Sequence, residues 1–306
     1  MQVHRAIEKL PEFKNAVLTI GTFDGVHEGH KKIIQALKRE AREADGETVI
    51  VTFDPHPRKI VKPEDPIVLI NTLEEKTILL EQAGIDHLVI VPFTSAFADR
   101  TASEYLEQFL IHRFHPTAII IGYDHHFGKG REGNFSFLEQ QASRFGYKLI
   151  EIPGHVLEEV AVSSTKIRKA LLNSDIATAN TLLGYTFFFE GLVVEGDKLG
   201  RQLGYPTANL EYTDREKIHL GHGVYAVYVA IGTEIRKGML SIGNRPTLVR
   251  SGEKVEVNIF DWDKDIYGER IRITVAKYLR PQEKYPTLEA LKQQLHLDKQ
   301  NSLAVL

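Results

Sequence analysis

Short apolar runs alternate with amphipathic stretches through the first half of the chain. The apolar runs are rich in β-branched residues and bounded by turn residues, which is typical of buried strands. They are Ala16–Ile20, Thr48–Phe53, His87–Val91 and Thr117–Ile121. The stretches with helical spacing are Lys31–Ala44, Thr72–Ala83 after an Asn71 cap, and Ala102–Phe114 after a Thr101 cap. Repeated strand–helix–strand units predict a doubly wound parallel sheet, which binds ligands at the carboxyl ends of its strands.

The pattern changes after about Leu183. Five strand-like segments follow, separated by glycine-rich turns: Tyr185–Val194, Gly223–Ile231, Arg236–Ile242, Glu253–Phe260 and Arg270–Val275. No helical pattern of useful length comes before Leu288–Leu295, so these short strands predict an antiparallel barrel or sandwich. We therefore expect an N-terminal α/β domain at residues 1–183, ending in a helical connector, and a C-terminal β domain at residues 184–306.

Composition narrows the chemistry and the partners. The 306 residues include no cysteine, which excludes disulfides, thiolate nucleophiles and cysteine-ligated metals. The net charge of −3 divides into −4 over residues 1–183 and +1 over residues 184–306. Neither half has the basic excess that non-specific nucleic-acid binding needs. Because the sequence shows neither a membrane-spanning run nor a signal-peptide core, we expect a cytoplasmic protein that binds neither nucleic acid nor membrane.

A turn with two histidines follows the first predicted strand. It reads Gly21-Thr22-Phe23-Asp24-Gly25-Val26-His27-Glu28-Gly29-His30. A turn between a strand and a helix start collects free N–H groups and the positive end of the helix dipole, which favours anions. His27 and His30 share a helical face, and Gly29 allows a base or ribose to approach. Two imidazoles there can stabilise phosphate charge in a transition state. Surface histidines beside a turn are the alternative.

This turn resembles a family signature. H-x-G-H after the first strand resembles that of nucleotidyltransferases, and G-x-F-D-G-x-H-x-G-H is similar to the adenylyltransferase module of bacterial bifunctional riboflavin kinase/FAD synthetases. Further segments fit in order: Thr52–Pro57, Gly122–Gly128 as G-x-D-x-x-F-G, and Ser163–Arg168 as S-[ST]-x-x-I-R. The resemblance implies His27 and His30 as catalytic residues. The cofactor-binding residues that it implies here are Gly21, Phe23, Asp24, Gly25, Gly29, His56, Asp124, Ser163, Ser164, Thr165 and Arg168.

Some of these residues have more than one possible role. The hydroxyls of residues 163–165 and Arg168 can hold phosphates at a second helix N-terminus, or form a plain cap beside a surface arginine. Asp54 and Asp124 can bind ribose, order a histidine, hold Mg²⁺ or simply end a strand. His56, between two prolines, is either a phosphate contact or part of a rigid turn. His125 and His126 are interpreted as loop residues, one of them near substrate.

A second dense segment lies in the C-terminal half. Gly191–Leu210 is glycine-rich but contains no Walker G-x-x-x-x-G-K-[ST] motif. Its G-R-x-L-G-[YF]-P-T-A-N part is similar to the riboflavin kinase module, which implies a six-stranded antiparallel β-barrel. In that family P-T-A-N binds MgATP, so Thr207 and Asn209 are implied as metal and nucleotide ligands, with Gly200 in the binding loop. A barrel entry loop with a proline-fixed turn is the alternative.

Other C-terminal segments resemble the same module. Residues 241–247 look like its G-x-R-P-T turn, while residues 266–269 and 279–285 match segments near the flavin. Glu256 lies in an alternating strand with Asn258 and Phe260 on the same face. If that face is the barrel interior, the pKa of Glu256 would be raised. The resemblance implies Glu256 as catalytic base and leaves Asn258 without a role. Arg280 is implied as a flavin or nucleotide contact, and the alternative is that it pairs only with a surface acid.

The resemblance implies a bifunctional enzyme of flavin biosynthesis. The C-terminal domain would phosphorylate riboflavin with ATP to FMN. The N-terminal domain would then join FMN to the α-phosphorus of ATP, releasing pyrophosphate and giving FAD. Both transfers would use Mg²⁺ and neither needs a protein nucleophile. We expect a monomer or weak homo-oligomer. An RNA-acting relative of aminoacyl-tRNA synthetases and a non-enzymatic flavin-binding regulator are the rival interpretations.

Overall fold

The computed structural model of the chain describes residues 1–154, 163–196, 199–244 and 253–306. It divides into two compact units, Met1–Ser164 and Thr165–Leu306. The first contains a parallel six-stranded sheet and the second a closed antiparallel barrel, so the predicted fold class is confirmed. Residues 197 and 198 of the glycine-rich segment, and Arg245, Pro246 and Thr247 of the expected G-x-R-P-T turn, lie outside the described residues.

All strands of the first unit run parallel. They are β1 (Gln2–His4), β2 (Val17–Ile20), β3 (Thr48–Asp54), β4 (His87–Pro92), β5 (Ala118–Gly122) and β6 (Lys148–Ile152). Their order across the sheet is β1-β4-β3-β2-β5-β6. The four predicted strands are confirmed, and β1 and β6 add the two edges. Since β3 and β5 flank β2 on opposite sides, the carboxyl end of β2 lies where a doubly wound sheet forms its binding crevice.

Helices cover both faces of this sheet. They are α1 (Glu28–Glu43), α2 (Pro57–Val61), α3 (Leu73–Gln82), α4 (Ser95–Ala98), α5 (Ala102–Glu104), α6 (His112–Phe114) and α7 (Phe135–Phe145), with a π-helical stretch over Tyr105–Ile111 between α5 and α6. One predicted cap is wrong. The N-cap of α3 is Thr72, not Asn71, because the Thr72 hydroxyl accepts from the Glu75 N–H while the Glu75 carboxylate accepts from the Thr72 N–H.

Two hydrophobic cores lie on opposite faces of the sheet. Along β2, Leu18 and Ile20 pack into one core with the aromatic residues of the helical segment from α4 to α6, whereas Val17 packs into the other. Leu37 of α1 and Leu80 of α3 belong to this second core and are completely buried. The alternation follows from the two-residue period of a strand. It holds the β2–α1 turn between a rigid strand and a rigid helix.

The second unit contains the connector helices and the barrel. The helices are α8 (Ser164–Leu172), α9 (Ile176–Leu183), α10 (Leu199–Gln202) and α11 (Leu288–Val305). The strands are β7 (Phe188–Val194), β8 (Ala208–Tyr212), β9 (Gly223–Ile231), β10 (Glu234–Asn244), β11 (Glu253–Ile259) and β12 (Arg270–Arg280), closed in the order β10-β11-β8-β7-β12-β9.

The connector packs against the barrel. The Gly221 N–H donates to the Leu171 carbonyl, and the Asn180 side chain accepts from the Phe187 N–H at 2.7 Å and donates to the Val275 carbonyl at 3.2 Å. Residues 165–183, which the sequence pattern grouped with the N-terminal domain, therefore lie in the second unit. The sequence changes from α/β to β near Leu183, but the packing changes earlier.

Barrel strands alternate between a filled interior and an outer face. Val257 of β11 pairs with Leu240, and Leu240 pairs with Tyr225; all three side chains are completely buried. The odd-numbered positions of β11 therefore fill the barrel. Glu256 and Asn258 alternate with them and lie on the outer face. The sequence left open whether the Glu256 face is the barrel interior, and the structure places it on the outside.

Candidate active sites

The β2–α1 turn is buried and has an unusual backbone. Phe23, Gly25 and Val26 have positive φ angles of 47°, 90° and 37°. Such angles cost a non-glycine residue about 1–3 kcal/mol. Phe23 and Val26 are nevertheless 1% and 2% exposed and pack into the core with α1 and α3. Burial of these two side chains offsets the backbone cost and fixes the path of the turn.

The two histidines of the turn stack on each other. Their ring centroids are 3.7 Å apart and their planes differ by 13°. His27 is the N-cap of α1, since its Nδ1 accepts from the His30 N–H at 3.3 Å. This cap starts α1 three residues before the predicted Lys31. Gly29 is buried in the first turn of α1.

His30 is held in its neutral form. Burial first, then the neighbouring His27 and then Lys76, lower the pKa of His30 well below 6.5. Among the residues that the structure describes, its buried Nδ1 has no hydrogen-bond partner. Phe23 contacts the same ring, with centroids 4.9 Å apart. A neutral imidazole with an unused nitrogen can hydrogen-bond a ligand but does not bring a positive charge.

Asp24 ties the turn to its surroundings. Its side chain is 1% exposed and accepts from the N–H groups of Ile70 and Asn71 at 2.9 and 3.3 Å. Its carbonyl accepts from the Ser164 hydroxyl at 3.0 Å. Asp24 and Ser164, both expected to bind cofactor, thus hold the turn in place through contacts within the protein. Any ligand contact of theirs stays a prediction.

A cavity of about 880 Å³ opens at the carboxyl ends of β2, β3 and β5. Gly21 and Asp124, two predicted ligand contacts, lie on its wall. Its aromatic residues are Phe53, Phe93, Phe97, Tyr105 and Phe127, and its cationic residues are Arg58, Lys62, Lys129 and Arg131. Flat aromatic walls with cations suit a planar ring system that carries a phosphate.

Three predicted residues near this cavity have defined surroundings. His56 is the N-cap of α2, and its Nδ1 accepts from the Arg58 N–H at 3.2 Å, so it orients a helix that lines the cavity. His125 and His126 both line the cavity. Burial lowers the pKa of His125 to about 4, so this ring is neutral at physiological pH.

The remaining predicted residues of the first site lie around the start of α8. Ser163 and Thr165 are exposed, and Arg168 is half-buried. Thr165 and Arg168 are three positions apart, so they share a face of α8. Both belong to the second unit. Their contact with a nucleotide stays a prediction.

Sequence reasoning missed the aromatic wall and one cation. The cavity aromatics come from β3, the segment after β4, the π-helical stretch and the loop after β5, so no local motif joins them. Lys76 of α3 is 7% exposed and lies within electrostatic reach of His30. A lysine at a helical position ordinarily predicts a solvent-exposed residue, so the sequence contained no signal for its burial.

In the barrel, three of the predicted residues come together. Asn209 of β8 is the register partner of Glu256 on β11. The Thr207 hydroxyl donates to Glu256 Oε1 at 3.2 Å, and Lys254 Nζ lies 3.1 Å from the same oxygen. The Glu256 side chain is 24% exposed. The predicted base and the predicted metal ligands therefore share the outer face of the barrel.

Asn258, whose role the sequence left open, supports this arrangement. Its amide donates to the Pro206 carbonyl at 2.6 Å, and it is buried. The bond joins β11 to the proline that precedes Thr207. Asn258 thus fixes the position of the P-T-A-N segment relative to β11.

Two glycines allow the binding loop to pass directly over these side chains. A Cβ at Gly200 would lie 2.3 Å from the Tyr205 carbonyl oxygen and 3.3 Å from Thr207 Oγ1. A Cβ at Gly196 would lie 1.8 Å from the Asn209 amide nitrogen. Neither space admits a side chain. A cavity of about 480 Å³ adjoins this loop, with Arg201, Thr207, Trp262 and Tyr267 on its wall.

The oxygen donors of this site fit a hard cation that is also held by substrate phosphates. Asn209 Oδ1 is buried and has no hydrogen-bond partner among the described residues. The Thr207 hydroxyl oxygen lies in the same segment. Within the described ranges no group of three or more His, Asp or Glu side chains could hold a metal. Mg²⁺ typically takes few protein oxygens and completes its shell with phosphates and water, which agrees with this donor set.

Arg280 is engaged inside the protein. Its Nε and Nη2 donate to the two carboxylate oxygens of Asp298 at 2.8 and 2.6 Å, and its Nη1 donates to the Pro281 carbonyl. Asp298 is 1% exposed. This bidentate pair fastens α11 to the end of β12. Of the two roles expected for Arg280, the structure shows pairing with an acid, although the acid is buried.

Each half of the chain is similar to a known protein family. The family model described as FAD synthetase matches residues 9–166, and that described as riboflavin kinase matches residues 183–306. The chain is 34% identical to the bifunctional riboflavin kinase/FMN adenylyltransferase of Escherichia coli K12 over 301 residues, covering 97% of this chain and 96% of that protein. The Bacillus subtilis protein of the same name is 33% identical over 297 residues, covering 95% and 93%.

One solved structure shares the whole fold. A protein from Streptococcus pneumoniae whose crystal structure is titled a macrolide-efflux protein has a TM-score of 0.89 and 30% identity, with 98% of both chains covered. In the part of this chain that the structure describes, no helix is long and apolar enough to cross a membrane. The two family models and the full-length relatives lead to one conclusion: the chain belongs to the bifunctional riboflavin kinase/FMN adenylyltransferase family.

Proposed function

We propose that this chain phosphorylates riboflavin to FMN with ATP, and then adenylylates FMN to FAD with a second ATP and release of pyrophosphate. The observation that carries the proposal is the presence of two separate clusters of candidate site residues on one chain. One is the histidine turn beside the aromatic cavity, and the other is the cluster of Thr207, Asn209 and Glu256 on the barrel. We assign adenylyl transfer to residues 1–183 and the kinase reaction to residues 184–306.

In the kinase reaction, Glu256 is the base that accepts the proton of the riboflavin 5′-hydroxyl. Among the described residues, Thr207 and Lys254 both contact its Oε1, which leaves Oε2 for the proton. The hydroxyl oxygen attacks the γ-phosphorus of ATP, and ADP leaves. Thr207 and Asn209 hold MgATP in position. When bound there, Mg²⁺ neutralises charge on the phosphates.

In adenylyl transfer, the FMN phosphate attacks the α-phosphorus of ATP, and pyrophosphate leaves. No protein nucleophile takes part. The N-terminus of α1 and the imidazoles of His27 and His30 donate hydrogen bonds to the phosphates. The cavity of about 880 Å³ takes the flavin, with its rings against the aromatic wall and its phosphate toward Gly21, at the start of the histidine turn.

Incubation of the protein with riboflavin, ATP and Mg²⁺ tests the proposal. We expect FMN to appear first and FAD to follow, with both resolved by chromatography, and pyrophosphate to form in step with FAD. Replacing riboflavin by FMN should still give FAD. Omitting Mg²⁺ should stop both reactions. If a folded preparation made neither FMN nor FAD, the proposal would be wrong and a flavin-binding regulator would be favoured.

The proposed substrates also suggest where the protein is located and whether it forms oligomers. The residues that we assign to the two reactions all lie on this one chain. We infer a cytoplasmic monomer or weak homo-oligomer, supported by the use of ATP and by the presence of both sets of site residues on one chain.

A further inference from the structure

A buried lysine lies beside the histidine turn without a direct partner. Lys76 is in the first turn of α3, four residues after the Thr72 cap, and is 7% exposed. Across the described ranges, its ammonium forms no hydrogen bond and no ion pair within 4 Å. Burying an ammonium without a counter-ion is costly, so an arrangement of this kind calls for an anion that binds there.

Packing fixes Lys76 close to the turn. Leu73 and Leu80 of α3 share one hydrophobic core with Phe23 and Val26 of the turn. The Asp24 carboxylate in addition binds the two N–H groups that precede the Thr72 cap. The start of α3 and the start of α1 are thus held together by both apolar and polar contacts.

The charges around this ammonium are those of the nucleotide site. Burial lowers the pKa of Lys76, while the carboxylates of Asp24 and Asp54 act in the opposite direction and favour its charged form. Lys76 in turn helps burial and His27 to lower the pKa of His30. The carboxylates lie within electrostatic reach but beyond ion-pair distance, so the ammonium remains available to a ligand.

The site needs a positive charge that His30 does not supply. The triphosphate of ATP and the departing pyrophosphate carry several negative charges. His30 is neutral at physiological pH and only hydrogen-bonds them. Backbone N–H groups at the start of α1 bring partial charges. The Lys76 ammonium on the neighbouring helix brings a full positive charge.

We propose that Lys76 is a substrate-binding residue of the adenylyl-transfer site, where its ammonium pairs with the phosphates of ATP and of the leaving pyrophosphate. The inference rests on the proposed function, because it names a further residue of that same site. It assigns the charge to Lys76 and the hydrogen bonds to His27 and His30.

The test compares Lys76→Met with Lys76→Arg in the full chain, with FMN and ATP as substrates. We expect Lys76→Met to raise the KM for ATP and the inhibition constant of inorganic pyrophosphate by roughly 10- to 100-fold, the usual value of a charge-assisted hydrogen bond. Lys76→Arg keeps the charge and should stay within about tenfold of the unchanged protein on both measures. The kinase reaction of the same samples should not change.

Lys38→Met is the matched control. Lys38 also lies in the first unit, is partly buried, and donates to the Ala83 carbonyl at 2.8 Å, at the opposite end of α3 from the Thr72 cap. Its loss should leave the KM for ATP and the pyrophosphate inhibition unchanged. A structural effect of removing any partly buried lysine would instead appear in both Met variants.

Two results would overturn the inference. One is a folded Lys76→Met protein whose KM for ATP and pyrophosphate inhibition stay within twofold of the original. The second applies if Lys76→Met does not fold, so that Lys76→Arg is the variant to measure. A folded Lys76→Arg protein that has lost inhibition by pyrophosphate would then overturn the inference. Failure of the unchanged protein to make FAD from FMN would instead contradict the proposed function, so the two failures are distinguishable.

Discussion

His30 shows how one residue can be placed by its neighbours rather than by its own chemistry. Its ring stacks on His27 and contacts Phe23, and these contacts exclude water from Nδ1. The sequence predicted the pair and its shared face correctly. It did not predict that burial keeps His30 neutral, because exclusion of water depends on residues that meet only in the fold.

This neutrality can be measured. We expect the His30 imidazole, followed by NMR and assigned by its absence in His30→Ala, to titrate well below pH 6.5. An unfolded chain binds the proton first as pH falls, since its histidine has the higher pKa. The folded state is therefore destabilised progressively as pH falls below 6.5, and His30→Ala removes this part of the slope. A midpoint at or above 6.5 would contradict the assignment of a neutral ring.

At the scale of elements, a buried ion pair helps to attach α11 to the barrel. Arg280 donates two hydrogen bonds to the Asp298 carboxylate, one to each oxygen, and Gln294 donates to the same carboxylate at 2.9 Å. We expect Asp298→Ala to lower the free energy of unfolding of the second unit by about 3–5 kcal/mol, because it leaves a guanidinium without its partner. Chemical denaturation followed by circular dichroism measures this.

Gln293→Ala supplies the comparison on the same helix. Gln293 is exposed, and an exposed substitution of this type should change stability by less than about 0.5 kcal/mol. Equal effects of the two substitutions would show that the ion pair contributes nothing particular. Adenylyl transfer by the first unit should be unaffected in both variants.

The elements also show what a sequence pattern can and cannot reveal. The four strands predicted from apolar runs are the buried ones at the centre of the sheet, where nearly every side chain is apolar. The edge strands β1 and β6 were missed, since one has three residues and the other mixes Lys148 and Glu151 with apolar positions. The cap of α3 was placed one residue early because Asn and Thr are both good caps.

For the whole molecule, the assignment of the two reactions to separate sites implies that substitutions can stop one reaction and leave the other. We expect Glu256→Gln to reduce FMN formation by about 10²- to 10⁴-fold, as for loss of a general base, while FMN is still converted to FAD. His30→Ala should block FAD formation and leave the kinase active. A mixture of the two variants should again convert riboflavin to FAD, because FMN made by one protein is a substrate for the other.

Chromatography of that mixture measures how much FMN and FAD it makes. If the mixture made FMN but no FAD, while the Glu256→Gln protein still converted added FMN, passage of FMN through solution would be too slow. If either substitution stopped both reactions in a folded protein, the assignment of one reaction to each half of the chain would be wrong.

The outward position of Glu256 has a consequence for how the two halves tolerate change. The barrel is filled by Val257, Leu240 and Tyr225, and the proposed kinase residues alternate with this filling, so substitutions at them leave the interior intact. The first site has no such separation, since Phe23 and Val26 shape its turn and also fill its core. Substitutions that accumulate at the kinase residues can therefore remove kinase activity and leave a stably folded domain. Substitutions in the adenylyl-transfer turn instead lower both the stability of the fold and the activity.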